Sequence, residues 1–329
     1  MLAVGPNGVG KTNLLEALHV ATQGFSPRTR TDLQLIRFGA DGARTAVRGR
    51  RADLQLTLEV TLRSGEGKRA RVNGAPLRAA EQLRTTVSTL VFTPDRLGVV
   101  KGAPAARRAY VDRMLGRLAP ARAALPAEYG ASVAQRNAAL RRTAAGFSSR
   151  EAVEPWTGRV VALGQELVAS RLEALASLAV PFAERAAELG LDGATVRYEG
   201  EPPTQEGLDA RLERDLERGS TTLGPHLDDV RLSAGGRDLR TFGSQGEQRL
   251  ALLALLLAEA GTIAERAGIP PLLLLDDVLS ELDPGRRRIL AEHVRGRAQA
   301  LVTATDAGML PVSPDQLVEV RAGTAVAVA

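Results

Sequence analysis

The chain has 329 residues, no cysteine and a formal net charge of +5 at neutral pH. Its length exceeds the ~100–200 residues usual for one domain, which predicts two lobes or one domain with a large insertion. The lack of cysteine excludes disulfides and thiolate metal sites, and three histidines argue against a histidine-rich metal centre. No apolar run reaches the roughly 18 residues of a membrane span and no signal sequence opens the chain, so we expect a cytoplasmic protein without a membrane partner.

Basic residues are concentrated in the first half of the chain. Residues 28–150 contain 24 Lys or Arg and 9 Asp or Glu, whereas the remainder is acidic. Such a local excess is typical of polyanion binding, but an arginine-rich solvated face has the same composition. Charge alone leaves both interpretations open.

The first hundred residues favour strands around one helix. The apolar run 2–4 ends in a glycine-rich loop, and residues 13–22 continue with helical periodicity, which predicts strand, loop and helix. Apolar and polar residues alternate over 53–63, as in a half-buried strand. A tight turn at Asn73-Gly74 and a further strand over 87–92 follow.

From about Pro104 the composition changes to long helices rich in alanine, leucine and arginine. Segments 121–145 and 156–189 are suited to an antiparallel helical hairpin in a second lobe. Strand and loop patterns return after residue 230, followed by an apolar helix over 246–264 and a buried strand over 272–275. We therefore predict an α/β fold in which helices are inserted between two parts of a nucleotide-binding domain.

Residues 5–12 match the P-loop pattern G-x-x-x-x-G-K-[ST]. Glycines at these positions let backbone N–H groups surround a phosphate, and the following helix N-terminus adds partial positive charge. Lys11 is expected to reach the β- and γ-phosphates of ATP, and the Thr12 hydroxyl to bind Mg²⁺. The predicted nucleotide-binding residues of this loop are Gly5, Pro6, Asn7, Gly8, Val9, Gly10, Lys11 and Thr12.

Four leucines followed by Asp276 and Asp277 have the form of a Walker B strand. We expect Asp276 to hold Mg²⁺ and Asp277 to orient the attacking water, so that Lys11, Asp276 and Asp277 are the predicted catalytic residues. A buried strand with an acidic end would have the same local pattern, and the P-loop decides between the two interpretations.

A serine and a glycine open the apolar helix at residues 244–248, where a hydroxyl, backbone N–H groups and the helix dipole could bind one more phosphate. In ABC ATPases this signature element faces the P-loop of another subunit. Ser244, Gly246 and Gln248 are therefore predicted nucleotide contacts across a head-to-tail homodimer, because one chain supplies one P-loop and one signature.

These motifs, in this order and spacing, resemble the RecF family of bacterial DNA replication and repair proteins, of the same ATPase class as SMC and Rad50. The resemblance runs over essentially the whole chain. The stretches that carry it are residues 5–17, 92–112, 135–140, 224–229, 243–249 and 274–283.

The resemblance implies an ABC-type P-loop ATPase domain, with a mixed sheet flanked by helices and an inserted helical lobe. The implied boundaries are 1–103 and 221–329 for the two ATPase parts and 104–220 for the helical lobe. It further implies an ATP-gated clamp on single-stranded, gapped or junction DNA, with weak DNA-stimulated ATPase activity. Such a clamp would act with RecR and RecO to load RecA in repair and the SOS response.

Three features differ from the pattern of the RecF family or of ABC ATPases in general. Members have further strands before the P-loop, whereas four residues precede Gly5 here, so we expect the sheet to lack its first strands. Asp277 replaces the glutamate of transporter ATPases, as in other RecF proteins, and its shorter side chain predicts slow hydrolysis. Thr305 stands in the place of the usual switch histidine.

Several alternatives remain at the level of sequence. The ATPase subunit of a membrane transporter would use the same motifs, but more than two hundred residues separate Lys11 from Ser244 here, with long helices and a basic stretch between them. A scaffold held together by ATP without turnover, and a gene product unable to fold, are two further alternatives. Candidate phosphate contacts, each of which could equally belong to a solvated face, are Arg28, Arg30, Arg50, Arg51, Arg107 and Arg108. Arg107 and Arg108 could instead pair with acids between the lobes.

Overall fold

A computed structural model describes residues 1–29, 31–51, 53–295 and 298–328, with the side chains of Arg51 and Glu81 left out. The strands within these ranges are β1 (Leu2–Val4), β2 (Gly42–Arg51), β3 (Leu54–Arg63), β4 (Arg69–Val72), β5 (Ala75–Pro76), β6 (Thr89–Phe92), β7 (Thr195–Glu199), β8 (Asp229–Ala234), β9 (Arg237–Asp238), β10 (Leu272–Leu275), β11 (Ala300–Ala304), β12 (Leu317–Arg321) and β13 (Thr324–Val328).

The helices within the same ranges are α1 (Lys11–Gln23), α2 (Gly98–Lys101), α3 (Pro104–Leu118), α4 (Leu125–Ala144), α5 (Glu154–Glu188), α6 (Gln205–Asp209), α7 (Leu212–Arg218), α8 (Leu239–Phe242), α9 (Gln245–Ala267) and α10 (Pro284–Val294). Short 3-10 helices cover Asp32–Leu35, Ala80–Thr85, Pro94–Leu97, Pro120–Arg122, Arg150–Val153, Val278–Glu281 and Ala307–Met309.

The chain divides into two compact units. One contains residues 1–96 and 263–329, and the other contains residues 97–262. The second division therefore falls inside α9, whereas the boundary expected from the sequence is at residue 221. β8, β9 and most of α9 belong by their contacts to the helical unit.

The first unit contains a six-stranded sheet in the order β13-β12-β1-β11-β10-β6. Only β13 runs antiparallel to its neighbour, so the sheet is mixed, as predicted. Its core includes Ala3, Leu274 and Leu301, which pack with Leu15 of α1. Parallel strands buried on both faces have continuous apolar sequences. For this reason the four leucines of β10 predict a strand.

The same unit holds a second sheet, antiparallel, in the order β2-β3-β4-β5. The alternating residues of β3 bury Leu58, Val60 and Leu62 against Val20 of α1. Helix α1 thus contributes to two cores within this unit. The bounds of α1 and β3 agree with the sequence prediction to within two residues. The sequence does not predict β2, because the apolar side chains on its inner face, Ala43 and Val47, are few and short.

The helical unit is built around α3, α4 and α5, which pack together, with the three-stranded sheet β7-β8-β9. The predicted long helices 121–145 and 156–189 correspond to α4 and α5. Together, the mixed sheet, its flanking helices and the long helical region confirm the predicted fold class. In the described part of the chain, no helix has the length and apolar character needed to cross a membrane.

Candidate nucleotide-binding site

The P-loop joins the end of β1 to the start of α1, as the sequence predicts. Gly5 cannot carry a side chain, because a Cβ there would lie 2.4 Å from the Val320 carbonyl oxygen. Gly10 caps α1 with φ 110°, a backbone conformation that favours glycine. The glycines thus allow a tight loop directly before a helix N-terminus, the arrangement that binds phosphate.

The Lys11 ammonium lies inside this loop. Its Nζ donates to the carbonyl oxygens of Gly5, at 2.7 Å, and Pro6, at 2.9 Å. Both partners are uncharged, and no ion pair to Lys11 occurs among the described residues. Its positive charge is therefore held in place without being neutralised, as an interaction with phosphate requires.

Asp276 and Thr12 come together although 264 positions separate them in the chain. The Thr12 hydroxyl donates to both carboxylate oxygens of Asp276, at 3.1 and 3.0 Å. Asp276 follows β10 directly and is 6% exposed, so the end of the strand places the carboxylate beside the first turn of α1.

Thr303 of β11 completes this cluster and was missed by the sequence analysis. Its hydroxyl donates to Asp276 Oδ1 at 2.7 Å and accepts the backbone N–H of Asp277 at 2.9 Å. β11 pairs in parallel with β10, which brings the hydroxyl to the Walker B acids. The sequence signal for Thr303 is a threonine within the otherwise apolar run ALVTA. A fully buried hydroxyl requires a hydrogen-bond partner, so such a threonine indicates a polar neighbour.

Asp277 has an unusual backbone and an unpaired carboxylate oxygen. Its φ is +49°, a left-handed conformation that is uncommon for residues other than glycine. Oδ1 is buried and has no hydrogen-bond partner among the described residues. Because a buried acceptor without a donor is costly, this oxygen is suited to a donor that a bound substrate or water supplies.

Thr93 is a second residue that the sequence analysis missed. It follows β6, the neighbour of β10, where the Asp276 N–H donates to the Phe92 carbonyl oxygen at 2.9 Å. Thr93 is 1% exposed, and its hydroxyl also has no partner among the described residues. Two unpaired polar oxygens thus lie at the ends of adjacent strands of the same sheet.

The oxygen atoms at this edge of the sheet fit Mg²⁺. The Asp276 carboxylate and the Thr12 hydroxyl are hard donors, which Mg²⁺ prefers, and its sites usually combine one or two carboxylates with substrate phosphates. Within the described ranges, His, Cys, Asp and Glu side chains form no group of three that could hold a metal.

The signature segment has the geometry of a capping box at the start of α9. The backbone N–H of Glu247 donates to Ser244 Oγ at 3.2 Å, and the backbone N–H of Ser244 donates to the Glu247 carboxylate at 2.7 Å. Hydrogen bonding of the Glu247 carboxylate to Ser244, first of all to its backbone N–H, lowers the pKa of Glu247 below its usual value. Ser244 and Gly246 are exposed at the helix N-terminus.

Gln248 is buried, and its amide donates to the carbonyl oxygens of Leu239, at 2.9 Å, and Gly243, at 3.2 Å. This side chain fixes the course of the segment before Ser244. Its geometry favours a positioning role over direct contact with a nucleotide.

The candidate phosphate-binding arginines differ in their surroundings. Arg50 is exposed, and Arg28 lies 3.5 Å from Glu16. Arg107 is 3% exposed and donates two hydrogen bonds to Asp229, of 2.7 and 2.8 Å. In the structure this side chain therefore forms an ion pair, which is the alternative to a phosphate contact. Arg108 donates to the Asp228 carbonyl oxygen at 2.6 Å.

Arg30 and the side chain of Arg51 lie outside the described residues. Thr305, in the place of the switch histidine, is exposed and bonded to Met309 Sδ at 3.3 Å.

The chain resembles known proteins over nearly its full length. The model of the RecF/RecN/SMC N terminal domain family matches residues 1–327. The DNA replication and repair protein RecF of Heliobacterium modesticaldum is 35% identical, over 95% of this chain and 88% of the relative. That of Symbiobacterium thermophilum is 36% identical, over 98% and 90%. A solved structure described as the recombination mediator protein RecF with ATP in the RecFOR pathway aligns with a TM-score of 0.90 and 26% identity, covering 100% of this chain and 91% of that one.

The fold and the P-loop, Walker B and signature elements define an ATPase of the ABC type, in the class that includes SMC heads. Within that class, the chain belongs to the RecF family of DNA replication and repair proteins. Because these relatives are DNA replication and repair proteins, the comparisons argue against the alternative that the chain is the ATPase subunit of a membrane transporter.

Proposed function

We propose that this protein is an ATP-gated DNA clamp of recombinational repair. It binds Mg-ATP at the P-loop, forms a head-to-tail homodimer around two nucleotides, and hydrolyses ATP slowly with stimulation by DNA. Its substrates are single-stranded, gapped or junction DNA in the cytoplasm. RecO and RecR are its partners in loading RecA and in the SOS response, a role supported by the RecFOR pathway named for the aligned RecF structure.

The main support for the proposal is that motif residues far apart in the chain meet at the carboxyl ends of neighbouring strands of one sheet. Lys11 is held by two neutral carbonyls, Thr12 and Thr303 converge on Asp276, and one oxygen of Asp277 lacks a donor. Each of these groups has a distinct task in phosphoryl transfer.

In the proposed reaction, Lys11 stabilises the negative charge that develops on the transferred phosphoryl group. Thr12 and Asp276 hold Mg²⁺, which when bound neutralises phosphate charge. Asp277 accepts a hydrogen bond from the attacking water through its unpaired oxygen and thereby orients it. The short aspartate side chain makes that orientation less effective than a glutamate would, so turnover is slow.

Closure of the dimer depends on the signature element. Ser244 and Gly246 present a hydroxyl and backbone N–H groups to the γ-phosphate bound by the partner subunit, and Gln248 holds the preceding loop. ATP bridges the two copies, and its hydrolysis removes the bridge. DNA binding is in this way coupled to the nucleotide state.

The test is binding of a fluorescent gapped duplex, and dimer mass by light scattering, with and without Mg-ATP. We expect wild type to gain affinity and to dimerise with ATP, and Lys11→Ala to do neither. Lys101→Ala removes the same charge from an exposed position and should behave as wild type in the nucleotide-dependent dimerisation. A persistent ATP-dependent dimer in Lys11→Ala would refute the assignment of the site.

A further inference from the structure

The antiparallel sheet β2-β3-β4 has one face on the core of its unit and one face directed to solvent. Strand residues alternate between faces, and Leu58, Val60 and Leu62 define the buried one. The register pairs Val60 with Thr45 and with Ala70, so the inner face is fixed on all three strands. The residues between them belong to the outer face.

The outer face carries an unusual set of charges. Read from the register, its positions are Arg44, Ala46, Arg48 and Arg50 on β2, Gln55, Thr57, Glu59, Thr61 and Arg63 on β3, and Arg69 and Arg71 on β4. Six of these residues are arginine and one is acidic. Like charges at neighbouring positions of one sheet face are destabilising, so the sheet alone gives no reason for this pattern.

Part of the charge is balanced within the sheet. Arg44 pairs with Glu59 at 2.6 Å, and Arg69 pairs with Glu66, of the β3–β4 turn, at 3.0 Å. Arg48, Arg50 and Arg71 are exposed, and none of them takes part in a hydrogen bond or ion pair with another described residue. Among the described residues, Arg48 and Arg50 are thus left without an acidic partner. Arg71 lies opposite Glu59, whose carboxylate is already paired with Arg44.

The shape and chemistry of this face identify the class of ligand. Residues two apart on a strand are ~7 Å apart and neighbouring strands ~5 Å, so the outer face measures roughly 20 by 10 Å. Guanidinium groups interspersed with threonine hydroxyls are the donors that bind phosphate oxygens. Its described outer positions include no aromatic residue, so the face offers no stacking platform for unpaired bases.

We propose that the outer face of β2-β3-β4 is a docking surface for the phosphate backbone of duplex DNA, with Arg48, Arg50 and Arg71 as the principal contacts. This assignment rests on the proposed DNA clamp and names the surface that it uses. Contact is with the backbone alone and is therefore independent of base sequence.

The experiment measures duplex affinity with Mg-ATP over a salt series. The triple variant Arg48→Ala, Arg50→Ala, Arg71→Ala should bind on the order of 10- to 100-fold more weakly near 0.1 M salt, with a log–log salt slope smaller by about 2 to 3. ATP-dependent dimerisation should be unchanged, because all three side chains are exposed.

Two further variants serve as controls. Arg142→Ala with Arg214→Ala and Arg218→Ala removes the same charge from exposed helix positions, and its affinity should stay within about twofold of wild type. Replacing Arg48, Arg50 and Arg71 by lysine keeps the charge and should retain most of the binding.

The outcomes separate the two proposals. If wild type binds no DNA with Mg-ATP, both the clamp and this surface are wrong. If wild type binds and the triple alanine variant keeps its affinity and salt slope, the clamp stands and the surface is overturned. Equal losses in the helix control, loss of binding in the lysine variant, or a loss confined to single-stranded oligonucleotides would likewise overturn it.

Discussion

Replacing Asp215 by alanine should strongly destabilise the helical unit. Asp215 of α7 is fully buried and pairs at 2.6 Å with Arg136 of α4, which is also fully buried. Arg136 further donates to the hydroxyls of Thr221, at 2.9 Å, and Thr157, at 3.0 Å. Neither hydroxyl can compensate the guanidinium charge, so the variant leaves a buried cation unpaired.

The expected magnitude follows from that unpaired charge. Breaking a buried ion pair by removing one partner costs about 3–5 kcal/mol, and the variant also loses the hydrogen bonds that Thr222 donates to Asp215. For a unit the size of residues 97–262, that loss corresponds to a thermal midpoint lower by roughly 6–20 °C. Urea titration followed by circular dichroism should give the same free energy.

Glu213→Ala is the matched control. Glu213 lies two positions away on α7 and pairs with Arg150, with side-chain exposures of 70% and 59%. An exposed pair of this kind contributes at most about 1 kcal/mol. If Asp215→Ala is no more destabilising than Glu213→Ala, the reasoning about the buried pair is refuted. Removing both charges with Arg136→Met and Asp215→Leu should recover part of the lost stability.

Three further predictions concern the signature, the acidic cluster and pH. Ser244→Arg should leave ATP binding intact and prevent dimer closure, and a normal dimer by light scattering would contradict the role of the signature. Thr303→Val removes a donor to Asp276 and should raise the Mg²⁺ concentration for half-maximal ATPase activity about 10- to 100-fold, whereas Thr305→Val, at an exposed position, should not. Burial lowers the pKa of His226, so its contribution to stability is complete above about pH 6.5 and is lost as the pH falls through the folded-state pKa. The thermal midpoint should therefore drop less between pH 7.5 and 5.5 in His226→Gln than in wild type, and identical profiles would exclude this residue.

Local chemistry made much of the site predictable from sequence. The P-loop needs glycines, a lysine and a threonine at fixed spacing, because one short loop and one helix start must surround a phosphate. The four leucines before Asp276 mark a strand buried on both faces. The serine at 244 and the glycine at 246 mark a helix start, and α9 begins at Gln245.

Other features depend on which elements become neighbours. Thr303 matters because β11 pairs with β10, and nothing near residue 303 in the chain indicates that pairing. Arg107 and Arg50 look alike in a basic stretch, yet one is buried on Asp229 and the other is exposed on a sheet. Sequence spacing does not record these long-range contacts.

What the sequence predicts and what only the structure shows differ for a physical reason, which is the range of the interactions involved. The sequence by itself determined the nucleotide motifs, the helices α1, α4, α5 and α9 and the alternating strand β3, since these depend on residues within a few turns of each other. Only the tertiary structure decided that Thr303 joins Thr12 and Asp276 in one hydrogen-bonded cluster. The tertiary structure also placed the arginines of β2 and β4 on one face of the sheet. Strand register determines which side chains meet, and the packing of β3 on the core sets that register.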